Sequence, residues 1–308
     1  MSATHSRHAS RGPLAVKVAL PIGVLFTAIA SLGALGGVIA ADPAPIPLPA
    51  PAAAMALPDV RMAQTPAADP CADAAVRSAL TAGDDEATVH AFGGGEQFRA
   101  AVVAGNAPCI SLEDPHRDWV VVNKLRPLQP ADFAPASVVA SDLRGLSGSV
   151  SMRPEVADAL SRMGAAMVAE GGGALGVNNA YRSYGLQQVT YSRFVRSEGV
   201  EGADAGSARP GHSEHQSGLA VDVVACSSGC GSLGQFGATA QSDWIVRHAH
   251  EYGFIVRYEK DAEGVTGYMP EPWHLRYIGV ELATVYHEGG FRTLEEFFGL
   301  PPAPDYGH

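Results

Sequence analysis

One stretch constrains this 308-residue chain more than any other: Gly211-His-Ser-Glu-His-Gln-Ser-Gly-Leu-Ala-Val-Asp222. Its skeleton is S-x-H-x-x-G-x-A-x-D, running from Ser213 through His215, Gly218 and Ala220 to Asp222. Further on, Glu271-Pro272-Trp273-His274 adds a second imidazole with a carboxylate three residues before it. Two His and one Asp make a three-ligand zinc set with the fourth position open for water, as in catalytic rather than structural sites. Glu271 is then the spare carboxylate that can take a proton from that water. A lone His or Asp in such a stretch is more often a hydrogen-bonded structural residue, so the weight lies on the combination. His212 competes for the ligand role at His-x-x-His spacing; His215 is preferred because it fits the full skeleton.

The surrounding pattern supplies a frame for these residues. Glu155 to Glu170 has Val156, Leu160, Met163 and Met167 on one helical face, and Gly171-Gly172-Gly173 stops it. Leu175 to Ala180 predicts a strand. Leu219 to Val224 alternates and is β-branched, which puts Asp222 on a strand. A helix over Ser242–Tyr252 ends at Gly253, with His248 and His250 on different faces and so not ligands. Phe254–Tyr258 and Trp273–Tyr277 predict two strands around a polar hairpin loop at 261–267. Short helices are expected over Val280–His287 and Leu294–Phe298, and a glycine- and acid-rich loop over Gly199–Pro210.

At the end of the Leu175–Ala180 strand stands Tyr181-Arg182-Ser183-Tyr184-Gly185-Leu186-Gln187, followed by a helix to about Arg196. Together with the two motifs above, and with Trp119-Val-Val-Val-Asn-Lys as an opening strand, it resembles the zinc D-Ala-D-Ala carboxypeptidases of the VanY type. These belong to the LAS metallopeptidase group, shared with lysostaphin-like and hedgehog-like folds. The resemblance covers Trp119 to Phe298. It implies that Arg182 and Gln187 face the substrate and that Ser213 lies near it, although a serine there could equally cap a turn. An Arg fork suits a terminal carboxylate or a developing oxyanion; a surface salt bridge is the plainer role for Arg182.

Residues 1–17 are polar and basic, and Val18–Ala41 is an uncharged run of 24 residues. A basic flank before an apolar run is an export signal. Residues 1–41 are expected to be a cleaved signal peptide or an uncleaved membrane anchor, the run being long enough to span. Residues 42–70 hold eight Pro and nine Ala, a composition that makes a stiff spacer or a plain tail. The first 41 residues carry three basic groups and no acid, leaving 18 basic against 32 acidic residues beyond them. No basic stripe marks a nucleic-acid surface.

Export permits disulfides. Local spacing pairs Cys226 with Cys230, and elimination leaves Cys71 with Cys109, one of three connectivities. A Cys-ligated zinc site is the competitor, without the usual C-x-x-C knuckles. Residues 71–112 are expected to form a small accessory segment, with short helices at Ala74–Leu80 and Glu96–Val103. Residues 113–300 then carry an α+β, hedgehog/DD-peptidase-like domain whose mostly antiparallel sheet holds one zinc ion, and 301–308 form a tail. The implied activity is an extracytoplasmic D,D-carboxypeptidase, expected to be monomeric, removing terminal D-Ala from peptidoglycan stem peptides. Glu271 and Arg182 are its catalytic groups. A D,D-dipeptidase or wall endopeptidase of the same fold is the near alternative. A wall-binding module with a vestigial metal site is the distant one, and the intact Glu271 argues against it.

Overall fold

A computed structural model describes residues 69–307, which fall in one compact unit. The expected signal or anchor, most of the spacer and His308 lie outside the described residues. Among the described residues no helix is long and apolar enough to cross a membrane.

Three short helices come first: α1 (Ala74–Ala82), α2 (Asp85–Ala91) and α3 (Gly95–Val103). The sequence reading has no counterpart to α2, which Asp84 caps by accepting from the backbone of Ala87. Residues 139–152 then make three two-residue strands, β1 (Val139–Ala140), β2 (Arg144–Gly145) and β3 (Ser151–Met152), also unexpected. There follow α4 (Pro154–Ala169), β4 (Ala174–Asn179), α5 (Tyr184–Gly206), β5 (Ala220–Cys226), α6 (Leu233–Phe236) and α7 (Ala240–His248). The chain ends with β6 (Phe254–Tyr258), α8 (Glu263–Thr266), β7 (Glu271–Tyr277), α9 (Val280–Glu288) and α10 (Leu294–Phe297).

The main sheet has the order β2-β4-β5-β7-β6; only the β2–β4 pair is parallel. Strand alternation sorts its two faces. Val221 and Val223 of β5, Leu275 and Tyr277 of β7 and Phe254 of β6 join the core under α4, where Val156, Leu160, Met163 and Met167 are all buried. The residues between them, Asp222, His274, Arg276 and Arg257, therefore point to the opposite face. One face is core; the other carries the chemistry.

Two expectations fail on backbone grounds. Trp119–Val122 is buried but forms no strand. The carbonyls of Asp118 and Val120 accept instead from the Arg276 guanidinium at 3.0 and 2.6 Å, so a side chain stands where a ladder partner would be. The loop expected over Gly199–Pro210 is confined to residues 207–210. Gly199 sits at φ 76°, ψ 177°, bends the chain, and the helix resumes to Gly206. Its return is pinned by Asp204, which accepts from Tyr191 at 2.6 Å and pairs with Arg209 at 2.8 Å.

The accessory segment packs on the domain. Val76, Val89 and Phe98 share a second core with Trp119, Leu282 and Phe297, and Glu86 accepts from the backbone of Val280 at the start of α9. Both expected disulfides are present, Cys71–Cys109 and Cys226–Cys230. The end of the chain is held too: Ala303 is buried and donates its backbone N–H to Val265.

Candidate active site

Each element of the S-x-H-x-x-G-x-A-x-D skeleton has a place. His215 lies on a 3-10 turn, Glu214–Ser217, closed by Gly218 at φ 78°. A Cβ on Gly218 would come within 3.0 Å of Arg153 Cγ, so both backbone and packing require glycine there. The turn delivers the chain into β5 with Ala220 buried and Asp222 two residues further, on the site face. Asp222 and His274 are cross-strand partners of β5 and β7. Residues distant in sequence are thereby set side by side on one rigid surface.

His215, Asp222 and His274 are all buried, and they offer ligand atoms within 4.8 Å of one another. The Nε2 of His215 is 3.3 Å from Asp222 Oδ2, and the Nδ1 of His274 is 3.3 Å from Asp222 Oδ1. The outer nitrogen of each ring is committed. His215 Nδ1 donates to the Ala180 carbonyl at 2.9 Å, and His274 Nε2 faces Glu214 Oε2 at 3.3 Å. Each outer partner can only accept, which leaves the inner nitrogens as the lone-pair side of the neutral rings. Asp222 Oδ1 is buried with no hydrogen-bond partner. Two lone pairs and a carboxylate converging at one point fit one divalent cation.

The electrostatics agree. Burial favours the neutral form of Asp222, yet His215 and His274 hold it well below the usual carboxylate range. Burial would also lower His274, but the Asp222 and Glu214 carboxylates outweigh it and raise the imidazole to about 9. Positive charge is thus favoured at this point. Glu271 opens β7 with its Oε2 3.5 Å from His274 Nδ1. Burial pushes its carboxyl up to about 7, against the pull of His274 and Arg182.

Arg182, between β4 and α5, is half-buried and lines the same cleft of about 390 Å³, together with Ser213, Glu271 and Trp273. Burial lowers its guanidinium pKa, while Asp222 and Glu271 support the charge. Ser213 precedes the His215 turn, and its hydroxyl makes no cap bond. Gln187 does not reach the cleft. It is fully buried, and its amide donates to the Ala208 carbonyl at 2.5 Å and to Ser207 at 3.3 Å, holding the far end of α5. His212 is turned away, its Nδ1 2.8 Å from the Asn123 carbonyl and its ring edge-on to Tyr306. His250 stacks on His287, far from any ligand role.

A further buried carboxylate, Glu214, lies inside the motif. Glu214 pairs with Arg257 at 2.9 Å, with Arg276 at 2.8 Å and with His274, and all four are buried. Burial would raise its pKa; the two arginines hold it well below the carboxylate range. Arg257 is also gripped by Glu295 from α10. The sequence signal for Glu214 is an arginine in the middle of each of two apolar strands, Phe-Ile-Val-Arg-Tyr and His-Leu-Arg-Tyr. A charge there needs a buried partner.

A buried triad able to hold a cation beside a carboxylate of raised pKa, on a cleft that also presents an arginine, is a layout suited to hydrolysis. A family model described as VanY: D-alanyl-D-alanine carboxypeptidase matches residues 149–280, which include every residue of that layout. The YodJ protein of Bacillus subtilis (strain 168) is 38% identical over 192 residues, 61% of this chain and 69% of the relative. A D-alanyl-D-alanine carboxypeptidase of Enterococcus faecium is 34% identical over 49% of this chain and 45% of its own length, so the chain spans less than half of it. Among solved structures, the LdcB LD-carboxypeptidase is 39% identical with a TM-score of 0.56, covering 60% of this chain and 87% of that one. The chain belongs to the VanY family of D-alanyl-D-alanine carboxypeptidases.

Proposed function

We propose that the chain is an exported, zinc-dependent D,D-carboxypeptidase that removes the terminal D-Ala from D-Ala-D-Ala-ended peptidoglycan stem peptides. The observation that carries this is the convergence of His215 Nε2, His274 Nδ1 and Asp222 beside Glu271. A zinc ion held by these three would lower the pKa of water and polarise the scissile carbonyl. Glu271 accepts the proton of the attacking water and passes it to the departing amine, so the free D-Ala leaves with a neutral nitrogen. Arg182 holds the terminal carboxylate or the oxygen on which negative charge develops. Glu214 keeps the His274 ring in place by accepting from its outer nitrogen, as paired carboxylates do for ligand histidines. Export rests on the basic flank and apolar run of residues 1–41, and the wall side of the membrane is where the substrate lies.

The likeness to an LD-carboxypeptidase favours a second reading, in which the residue before the cut is L rather than D. The test is to give the purified chain, with zinc, a pentapeptide ending in D-Ala-D-Ala, the tetrapeptide it would yield, a C-terminally amidated pentapeptide and free D-Ala-D-Ala. Products are identified by mass. Release of one D-Ala from the free-acid pentapeptide alone is expected. Cleavage of the tetrapeptide in preference would establish the L,D reading, hydrolysis of the dipeptide a dipeptidase, and equal cleavage of the amide an endopeptidase.

A further inference from the structure

The cleft continues beyond the groups the chemistry needs. Along α5 its wall is made by Thr190, Phe194 and Glu198, spaced four residues apart and therefore stacked along one side of the helix. Arg182 stands just before the helix begins; Glu198 stands next to the bend at Gly199. At the rise of an α-helix, Thr190 to Glu198 spans about 12 Å, the reach of three to four residues of extended peptide. Met269 faces this wall: its Cε and the Phe194 ring both come 3.8 Å from where a Gly206 Cβ would be. The outer cleft is thus an apolar slot ending in a carboxylate.

That carboxylate is uncommitted. Among the described residues Glu198 makes no ion pair, although Arg193 and Arg196 share its helix. Asp204 and Arg209 nearby are spent on each other. The cleft therefore holds a cation, Arg182, at its inner end and a free anion at its outer end. A peptide with its terminal carboxylate inward meets Glu198 with whatever it carries on the amino side of the cut.

We propose that Glu198 is a specificity-determining residue, selecting peptides whose diamino-acid side chain, upstream of the scissile bond, presents a free ammonium. This rests on the carboxypeptidase reading. An exposed pair of this kind contributes a small, salt-screened preference, about three- to fivefold in kcat/KM.

The test uses two peptides ending Lys-D-Ala-D-Ala, identical except that one has its Lys Nζ acetylated. The zinc-loaded full chain and its Glu198→Gln variant are assayed for D-Ala release. Binding of both peptides is also measured in a Glu271→Gln background, with and without Glu198→Gln. The expected result is a preference of the parent for the free ammonium in turnover and in binding, shrinking at high salt. In Glu198→Gln the preference for the free ammonium over the acetylated side chain should vanish. D-Ala release without any preference, or a preference that survives Glu198→Gln, overturns the role of Glu198. A binding preference lost in Glu198→Gln, in an enzyme that releases no D-Ala, upholds the role and overturns the carboxypeptidase reading instead.

Discussion

At the scale of single residues, the proposed mechanism separates holding a cation from moving a proton. His215 has its outer nitrogen tied to Ala180 and its inner one aimed at Asp222, whereas the competing His212 is occupied at Asn123. His215→Ala should therefore lose most of its zinc in metal analysis of the dialysed protein. Full occupancy in that variant would mean that the ligands are wrongly chosen. Glu271→Gln is the complementary case. The amide keeps the shape but cannot accept a proton, so zinc content and peptide affinity should stay near the parent's while kcat falls by about 10²- to 10⁴-fold. A variant retaining most of its turnover would place the base elsewhere.

At the scale of elements, two features make the site possible. The first is the β5–β7 register, which puts Asp222 opposite His274; a slip of one residue in either strand would turn its member of the pair towards the core under α4 and part the two. The second is α5, whose bend folds the helix end back beside the cleft. Gly199 lies in a region of backbone space essentially restricted to glycine. Gly199→Ala should cost about 1–3 kcal/mol of stability. It should also raise KM more than it lowers kcat, because Phe194 and Glu198 move while the triad, on the sheet, does not. Denaturant melts and steady-state kinetics check both parts, and an unchanged KM would detach the bend from substrate binding.

At the scale of the molecule, the site face is fastened to the rest by buried charge. Glu295 of α10 grips Arg257, Arg257 grips Glu214, and Glu214 orients His274. Burial would raise the Glu295 pKa, but Arg257 outweighs it, and the net shift is downward. Glu214 is shifted in the same direction. For carboxylates depressed in the folded state, the stabilisation is complete above the unfolded value of about 4.3 and is lost as pH falls towards the folded values. The share of stability that this network supplies, read as the gap in melting temperature between the parent and Glu295→Ala, should therefore hold on the alkaline side of that value and shrink steadily below it. Glu295→Ala, by leaving Arg257 short of a partner, should cost about 3–5 kcal/mol at neutral pH. A gap indifferent to acid, or a neutral Glu295→Ala, would show that the network contributes little.

The convergence of His215, Asp222 and His274 beside Glu271 was legible because it is written locally: a turn needing glycine at Gly218, a strand carrying Asp222 on its polar alternation, and a second imidazole three residues after a carboxylate. Helix α4 and the four long strands were legible for a similar reason, since the period of apolar residues reports which side of an element is buried. The same period does not report what lies across from that side. Glu214 acquires its partners only when Arg257 and Arg276 arrive from other strands, and Gln187, expected to face the substrate, has its amide taken at the returning end of α5. The strand expected at Trp119 gave way to the Arg276 guanidinium, and most of the loop expected after Gly199 gave way to a helix pinned by Asp204. The sequence by itself determined which side chains could hold a cation and accept a proton, because those are properties of the groups and their local spacing. Which polar groups are spent on one another, and which are left free to meet a substrate, was decided only by tertiary structure, because a hydrogen bond or ion pair depends on distances that sequence separation does not set.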